Sequence, residues 1–302
     1  MPRWAKWVGQ GLLVAGVGAF VARAVVRRWD EFRSLDVELH LSALPLMLAL
    51  LVVWATYGLL IEAWRRVLRG WDQQLPFGRA VRVWTLSNLG RYLPGKVWSV
   101  AGLAVLAQRA GVSGWAAAAS AIAMQALALG TGAAVVAATV PGTVGPAQLA
   151  VAAVVAAAVI AVLGADRLMG RAIRALRPDA AMGALPRGTA LVGAVVTALG
   201  WIGYGLAFWL VARGILPASQ LDLRTAVGVF AGGYLVGLLA VFAPGGVGVR
   251  DLVFVAMLSG PVGAGGAVAV AVASRLLLTV TEVGAAAAGL MVGPRREEHV
   301  RD

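Results

Sequence analysis

Long, uninterrupted apolar runs dominate this sequence, and their length limits what the chain can fold into. Six runs extend over roughly 7–26, 40–61, 115–140, 149–165, 190–211 and 267–292. A helix needs about 20 residues to cross the ~30 Å hydrocarbon core of a bilayer. Each run therefore predicts one membrane-spanning α-helix. The alternating pattern of a transmembrane β-barrel strand is not visible in the sequence.

The composition agrees with an all-α polytopic membrane protein. Hydrophobic residues make up 60% of the chain and charged residues only 13%, whereas soluble chains carry about 25% charged residues. The formal net charge of +12 could suggest a nucleic-acid partner. Because the cations mostly flank apolar runs and form no compact basic domain, they indicate membrane orientation and contact with anionic headgroups instead. We therefore expect no nucleic-acid partner.

Several kinds of chemistry are not expected from the residues available. The chain has no cysteine and only two histidines, His40 and His299, so disulfides, thiolate catalysis and a multi-histidine metal site are excluded. No Ser-His-Asp set and no acidic pair at metal-ligand spacing is visible. We expect no metal, no cofactor and no enzymatic activity.

Arginine placement predicts the topology. Segments 62–83 and 165–189 are rich in arginine, segment 141–148 has no charge, and segment 27–39 balances three arginines against four acids. The positive-inside rule puts the two arginine-rich loops in the cytoplasm. Both termini then also lie in the cytoplasm, and the protein is multi-pass in the plasma membrane. No small-residue cleavage site follows the first run, so we interpret it as a retained span.

Two further stretches, about 80–110 and 225–260, are moderately apolar and are broken in the middle by proline and glycine. The first contains "RYLPGKVW" and the second "FAPGGVGVRD". Proline interrupts the helical hydrogen bonds, and glycine permits backbone angles that other residues avoid. Non-helical backbone persists at membrane depth only where protein or water satisfies it. Each stretch predicts a re-entrant helical hairpin; the alternative is an ordinary kinked helix in an eight-span bundle. The residues at the breaks are Pro94, Gly95, Pro244, Gly245 and Gly246.

The two halves of the chain follow the same order of elements. Pro94 and Pro244 lie 150 positions apart in a chain of 302 residues, and each half reads span, span, hairpin, span. Three spans are an odd number, so the second half is inverted relative to the first. The sequence thus predicts one domain, 1–302, of two inverted-topology repeats, 7–140 and 149–292. Paired interrupted segments of this kind indicate the central site of a transporter.

Few charges fall inside the predicted membrane region, and cations outnumber acids there. The hairpins contain Arg91, Lys96, Arg109 and Arg250 against Asp251, and the last span adds Arg275 and Glu282. Intramembrane charges usually mark functional sites. A surplus of cations beside a helix N-terminus favours a phosphate, and at that depth the most available phosphate belongs to a lipid headgroup.

These charges divide into candidate roles, each with an alternative. We assign lipid-headgroup binding to Arg91, Lys96 and Arg250, and gating or charge balance to Asp251, Arg275 and Glu282, with Asn88 and Arg109 as further candidates. Alternatively, Arg91 and Lys96 snorkel to the interface, and Arg109 only marks the return of the hairpin. The neighbours Arg250 and Asp251 could pair with other helices. Arg275 and Glu282, seven residues apart on one helix face, could form a buried pair or a helix lock.

Four ordered motifs resemble the lysylphosphatidylglycerol synthase transmembrane family, also described as the flippase-like domain. Its pattern is approximately N-x-x-R-x-x-P-G-K, R-x-G-V-S, P-G-G-x-G-x-R-E and a late arginine. The first motif fits from Asn88 to Lys96 and the second from Arg109 to Ser113. The third runs from Pro244, with Asp251 in place of the usual glutamate, and Arg275 fits the fourth.

The resemblance implies a membrane domain that moves lipids between leaflets. Bifunctional members carry an aminoacyl-transferase domain after it; this chain ends at Asp302, so we expect neither that domain nor lysyl-lipid synthesis. Other members resemble proteins linked to polyprenyl-phosphate sugars or hopanoids, which leaves the cargo open.

We therefore expect a lipid translocase for an anionic phospholipid or a polyprenyl-phosphate-linked lipid. The alternative is a non-transporting lipid-binding or scaffold protein in a cell-envelope lipid pathway. Besides membrane lipids, the partners considered are a second copy of the chain, in a homodimer, and a separate lipid-modifying enzyme.

Overall fold

The structure is a computed structural model that describes residues 39–92, 97–139, 185–240 and 243–291, together with the single positions 150 and 161. Within these ranges all regular secondary structure is helical, and four helices are long and apolar enough to cross a membrane. The predicted all-α, multi-pass class is therefore confirmed. The predicted first span, 7–26, and both termini lie outside the described residues, as does nearly all of the fourth, 149–165.

In chain order the described helices are α1 (Ala43–Arg69), α2 (Phe77–Asn88), α3 (Val97–Arg109), α4 (Gly114–Thr139), α5 (Arg187–Ile215), α6 (Leu223–Leu239) and α7 (Val249–Met291). Helices α1, α4, α5 and α7 are the four that are long and apolar enough to cross a membrane. A short 3-10 turn, Leu89–Tyr92, follows α2, and another, Pro244–Gly246, coincides with the second predicted break.

Helix α7 is two helical segments joined at a kink. Its 43 residues would rise about 65 Å as one straight helix, roughly twice the hydrocarbon thickness. Gly263, at φ 76° and ψ 163°, leaves the helical region two residues after Pro261. Such angles suit glycine and interrupt the hydrogen-bond ladder. The segment 249–262 thus returns from the second break, and 264–291 corresponds to the predicted last span.

The long helix α5 carries a stripe of exposed apolar side chains along one face. On α5, Leu191, Val195, Leu199 and Ile202 are 55%, 52%, 49% and 47% exposed among the described residues. Their spacing of three or four positions puts them on one helix face. A continuous exposed apolar face of this kind is unfavourable in water and suits contact with lipid chains.

Hydroxyl side chains within these helices are satisfied locally. The Oγ1 atoms of Thr56, Thr131 and Thr197 donate to carbonyl oxygens four residues earlier, at 2.7, 2.7 and 2.6 Å. In a bilayer interior no water replaces a missing partner. These hydrogen bonds let small polar residues sit in the spans without an unsatisfied donor.

Helices α1 and α5 run antiparallel and define the two ends of the bundle. At one end, His40 N donates to Ile215 O at 3.0 Å and Ser42 N to Gly214 O at 2.9 Å. At the other end, Gly70 faces Leu185. This second end holds most of the described arginines, and we call it the basic end: Arg65, Arg66, Arg69, Arg79, Arg82, Arg109 and Arg187.

Helices α2 and α3 form a hairpin that opens at the basic end. Arg79 Nη1, in the first turn of α2, donates to Ala110 O just after α3, at 3.4 Å. Ser113 N donates to Gln73 Oε1 at 2.8 Å, so the segments that enter and leave the hairpin are hydrogen-bonded to each other. The chain therefore enters and leaves this hairpin at one end of the bundle.

Helix α6 and segment 249–262 form a second hairpin that opens at the opposite end. Arg224 Nη2, near the start of α6, donates to Ala138 O at the end of α4, at 3.0 Å. Gly266, just beyond the kink, packs against Leu216 at the end of α5. Asp222 caps α6 by accepting from Thr225 N at 2.9 Å, which fixes where this hairpin begins.

The tips of the two hairpins meet inside the bundle. A methyl group on Gly245 would lie 3.9 Å from Arg91 O and from the Tyr92 ring. Gly237, near the end of α6, and Gly246 face each other so closely that a Cβ on Gly246 would lie 3.3 Å from Gly237 Cα. Small residues permit such close backbone approach in membrane proteins.

We predict that Gly90→Ala destabilises the first tip. The new Cβ would lie 2.9 Å from Ser99 N and from Trp98 C, and backbone atoms cannot rotate away. Overpacking of this kind costs about 1–3 kcal/mol, so the midpoint of thermal unfolding in detergent should fall. The matched control is Gly58→Ala in α1, where no atom lies within 4 Å of the added methyl group. Equal midpoints for the two variants would contradict this account of the tip.

Candidate functional site

The candidate site lies where both hairpin tips contact the last helical segment, 264–291. Glu282, only 6% exposed, is the acid at its centre. Arg91 Nη1 donates to Glu282 Oε1 at 2.7 Å, and Tyr92 OH donates to Glu282 Oε2 at 2.7 Å. Both carboxylate oxygens are thus bound by consecutive residues of the first tip.

A second ion pair binds the other tip to the same segment. Arg275 donates to Asp251 Oδ1 from Nε at 3.1 Å and from Nη2 at 2.9 Å. The remaining oxygen, Asp251 Oδ2, accepts from Gly248 N at 3.1 Å. Asp251 therefore satisfies a free amide at the start of segment 249–262 and also joins that hairpin to the last segment.

Arg275 and Glu282 do not pair with each other. Each belongs to an ion pair with a different hairpin, so they do not form a buried pair with each other, and the helix-lock and gating roles considered for them stay predictions. They lie seven residues apart on one face, and that spacing lets one helix contact both tips. One alternative for the neighbours Arg250 and Asp251 was pairing with other helices. The ion pair of Asp251 with Arg275 is a pair of that kind.

Arg250 is the buried cation of the tips without a carboxylate partner. Its side chain is 7% exposed, and its guanidinium carbon lies 5.6 Å from the centre of the Phe254 ring. Within the described residues its buried Nε has no hydrogen-bond partner. Of the three arginines at this site, Arg91 and Arg275 are neutralised by acids. Arg250 therefore carries the one excess positive charge among the described site residues.

Backbone geometry at the second tip explains its glycines. Gly245, Gly246 and Gly248 have φ of 58°, 70° and 82°, in the left-handed region where a Cβ is unfavourable. This turn places Arg250 next to Gly237, whose added Cβ would lie 3.1 Å from Arg250 Cβ. The predicted break at Gly245 and Gly246 therefore lies in the turn between the end of α6 at Leu239 and the start of α7 at Val249.

The remaining predicted site residues fall in different places. Asn88 lies at the end of α2, beside the first tip, whereas Arg109 ends α3 at the basic end and is exposed. Pro94, Gly95 and Lys96 lie outside the described residues. The roles assigned to all of these side chains stay predictions.

A cavity of about 170 Å³ opens next to the first tip, between the first hairpin and helices α4, α5 and α6. Asn88 and Arg91 contribute to its wall, together with Leu60, Trp84 and Met124. Arg91 therefore both pairs with Glu282 and lines this cavity. Arg250 does not line the cavity.

Sequence reasoning missed the aromatic residues of the site. Tyr92 OH donates to Glu282 and lies 3.2 Å from Thr279 Oγ1, and Tyr204 and Tyr234 line the cavity. Tyr92 stands inside the motif "RYLPGKVW", so its position beside the break was a usable signal. The other two lie in apolar runs of α5 and α6, where an aromatic residue gives no local signal.

Comparison with known proteins identifies the chain at family level. The model of the family described as "Lysylphosphatidylglycerol synthase TM region" matches residues 7–284. This match covers most of the 302 residues and includes every described tip residue. No curated protein matches the chain.

We predict that Glu282→Gln destabilises the protein by about 3 kcal/mol. The amide keeps the size of the side chain but leaves Arg91 without its counter-charge, and breaking a buried ion pair is costly. The free energy of unfolding can be measured by denaturant titration in mixed micelles. Adding Arg91→Met to Glu282→Gln should restore part of the loss, because the uncompensated charge is then removed.

Glu62→Gln is the matched control for Glu282→Gln. Glu62 binds Arg65, Arg66 and Arg69 at the basic end, with its side chain 33% exposed. Exposed pairs contribute about 1 kcal/mol or less. If both glutamines cost the same, the tip ion pair has no special structural role.

Proposed function

This chain belongs to the Lysylphosphatidylglycerol synthase TM region family, and we propose that it is a lipid translocase. In this proposal it moves an anionic phospholipid or a polyprenyl-phosphate-linked lipid between leaflets, and the hairpin tips receive the phosphate. The family match supports a lipid-related membrane protein. The charged residues at the hairpin tips are the reason for proposing transport within that class.

The observation that carries the proposal is the excess positive charge of Arg250. A buried arginine without a carboxylate in an apolar bundle is unfavourable unless an anion binds it. Arginine can bind a phosphate through two parallel hydrogen bonds. In the proposal, Arg250 is the primary phosphate ligand, with Arg91 and Lys96 as further ligands.

We propose that the two hairpins are re-entrant and belong to inverted repeats. Helices α2 and α3 have 12 and 13 residues, which rise about 18 and 20 Å, less than the hydrocarbon thickness. The hairpins open at opposite ends of the bundle, and corresponding helices start 144, 146 and 152 positions apart: Ala43 and Arg187, Phe77 and Leu223, Val97 and Val249. Helices α1, α4 and α5 and segment 264–291 are four spans, and the predicted spans 7–26 and 149–165 bring the proposed total to six.

The proposed orientation places the basic end in the cytoplasm of a plasma-membrane protein. Most described arginines lie at that end, as the positive-inside rule requires of the cytoplasmic side. Both termini would then be cytoplasmic. Anionic lipids of the inner leaflet would be attracted to the same end.

We propose that the two tip ion pairs control access to the phosphate site. Both hairpins are joined to segment 264–291 by carboxylates, and an entering phosphate competes with those carboxylates for Arg91 and Arg275. Binding of cargo would thereby weaken the contacts that hold the tips. We propose that the protein uses no catalytic chemistry of its own in this step, and that a homodimer or a separate lipid-modifying enzyme is its protein partner.

The topology predicts opposite labelling of two loops. The chain contains no cysteine, so single cysteines can be introduced without background. Gln74→Cys, in the loop between α1 and α2, should react with a membrane-impermeant thiol reagent only after cells are permeabilised. Gln220→Cys, between α5 and α6, should react in intact cells. The reverse pattern would invert the orientation, and labelling of both from one side would contradict the opposite entry of the hairpins.

Transport can be tested by leaflet exchange of fluorescent phosphatidylglycerol in proteoliposomes. Arg250→Ala and Lys96→Ala should each reduce the protein-dependent rate at least tenfold, because a phosphate ligand is lost, while expression stays intact. Arg69→Ala is the matched control: its exposed side chain pairs with Glu62 at the basic end, so its rate should equal that of the wild type.

Two outcomes would contradict these roles. Exchange at the wild-type rate in both variants would remove Arg250 and Lys96 from the mechanism. Stoichiometric lipid binding without exchange above empty liposomes would favour the alternative function, a lipid-binding or scaffold protein of a cell-envelope lipid pathway.

A further inference from the structure

All four tyrosines of the chain lie around the ion pair of Arg91 and Glu282. The sequence contains only four, and they belong to the first tip and to helices α1, α5 and α6. Phenylalanine would serve aromatic packing equally well, so the feature that these residues add is the phenol hydroxyl. Tyr92 OH donates to Glu282 Oε2 at 2.7 Å, and the other three interact electrostatically with Arg91 or Glu282: Tyr57, Tyr204 and Tyr234.

These phenols connect the ion pair to the cavity beside the first tip. Tyr204 and Tyr234 line that cavity, whose 170 Å³ are enough for several water molecules. The rings of Tyr204 and Tyr57 pack edge to face with their centroids 6.2 Å apart, and Tyr57 interacts with the side chain of Thr281, next to Glu282. A phenol donates one hydrogen bond while it accepts another, which is the property that proton transfer to a buried carboxylate requires.

Glu282 is stable as a carboxylate only while a cation binds it. Its side chain is 6% exposed, and among the described residues its ion-pair partner is Arg91, at 2.7 Å. In the proposed function an entering phosphate takes Arg91 away. An isolated charged carboxylate in an apolar interior is so unfavourable that the group takes up a proton instead. Phosphate binding and protonation of Glu282 are therefore linked through one arginine.

The charged and titratable groups around Glu282 come from every described element packed against it. Two further charged groups of the site lie two turns away along segment 264–291: the ion pair of Arg275 with Asp251 on one side, and Arg82 of α2, next to Gly289, on the other. The groups that face Glu282 itself are Arg91 and Tyr92 from the first tip, Arg250 from the second tip, Tyr57 from α1, Tyr204 from α5 and Tyr234 from α6.

We propose that Glu282 is a proton-binding site and that one proton crosses the membrane with each phosphate group. This inference rests on the proposed function and adds the driving force. The proton binds Oε1, the oxygen that Arg91 Nη1 leaves, while Oε2 keeps the hydrogen bond from Tyr92. When the phosphate departs on the other side, Arg91 returns to Oε1 and the proton is released to water.

Charge balance determines which gradient drives this step. The empty site has one net positive charge, that of Arg250, because the other described charges are paired. A phosphodiester adds one negative charge and the proton one positive charge, so the loaded site has the same net charge as the empty one. The cargo and its proton cross together as a neutral pair. A pH gradient should therefore drive transport, and a membrane potential should not.

Proton uptake on lipid binding tests the site without transport. The purified full-length protein, in weakly buffered detergent near neutral pH with an indicator dye, is titrated with dihexanoyl phosphatidylglycerol. Its phosphodiester does not titrate in this range, so a change in pH reports on the protein. We expect uptake of about one proton for each bound phosphatidylglycerol, and none with dihexanoyl phosphatidylcholine, which has no net charge.

Glu282→Gln should bind phosphatidylglycerol without taking up a proton. The matched control is Glu62→Gln, which changes the exposed acid of the basic end and should take up the same proton as the wild type. Tyr204→Phe with Tyr234→Phe keeps both rings and the ion pair, and removes two hydroxyl groups. This double variant should take up the proton at least tenfold more slowly, with the same final stoichiometry, as measured by stopped flow.

The leaflet distribution of fluorescent phosphatidylglycerol tests the coupling in proteoliposomes. For a neutral pair, a gradient of one pH unit should enrich the lipid about tenfold in the leaflet facing the alkaline side. A potassium diffusion potential set with valinomycin should leave the distribution unchanged. Protein-free liposomes give the background for both gradients.

Different failures have different meanings. Phosphatidylglycerol binding by the wild type without proton uptake, or a distribution that follows the potential and ignores the pH gradient, would overturn the proton site. Exchange without proton uptake would keep the translocase and remove the coupling. Proton uptake without exchange would keep Glu282 as a proton site linked to lipid binding and remove the translocase.

Discussion

The burial of charge in an apolar bundle is the constraint on which this structure depends. Glu282 is 6% exposed and is bound by Arg91 and Tyr92, and Asp251 is bound by Arg275. An unpaired carboxylate at this depth would be far less favourable than a paired one. The broken helices can therefore end inside the bundle because each tip brings a charge to a partner on the last segment. Arg250 departs from this neutrality, and the anionic ligand proposed above would balance its charge.

Much of the fold could be predicted because its signals are local. The runs 115–140 and 190–211 differ by only a few residues from α4 and α5, since about 20 apolar residues suit one structure above all others. Proline and glycine marked both breaks for an equally local reason. The kink lies between the predicted second stretch, 225–260, and the predicted last span, 267–292, but the pattern did not single out Gly263, because several glycines occur there and only one takes a positive φ.

The site was harder to predict because its pairing is not local. Arg91 and Glu282 are 191 positions apart, and no spacing rule connects them. Counting intramembrane charges singled out five charged residues that the structure brings together, but not which cation meets which acid. The cavity was missed altogether, since Asn88, Gln125, Tyr204 and Tyr234 come together only when four helices are assembled. Amide and phenol side chains scattered through apolar runs carry no sign of convergence in the sequence.

The last segment makes both tip contacts through one helix face, and this arrangement has a mechanical consequence. Arg275 and Glu282 are two turns apart on a rigid rod, so a rotation or axial slide of that rod displaces both ion pairs at once. One hairpin opens toward the basic end and the other toward the opposite end. A movement of this single helix would therefore act on both hairpin tips at once.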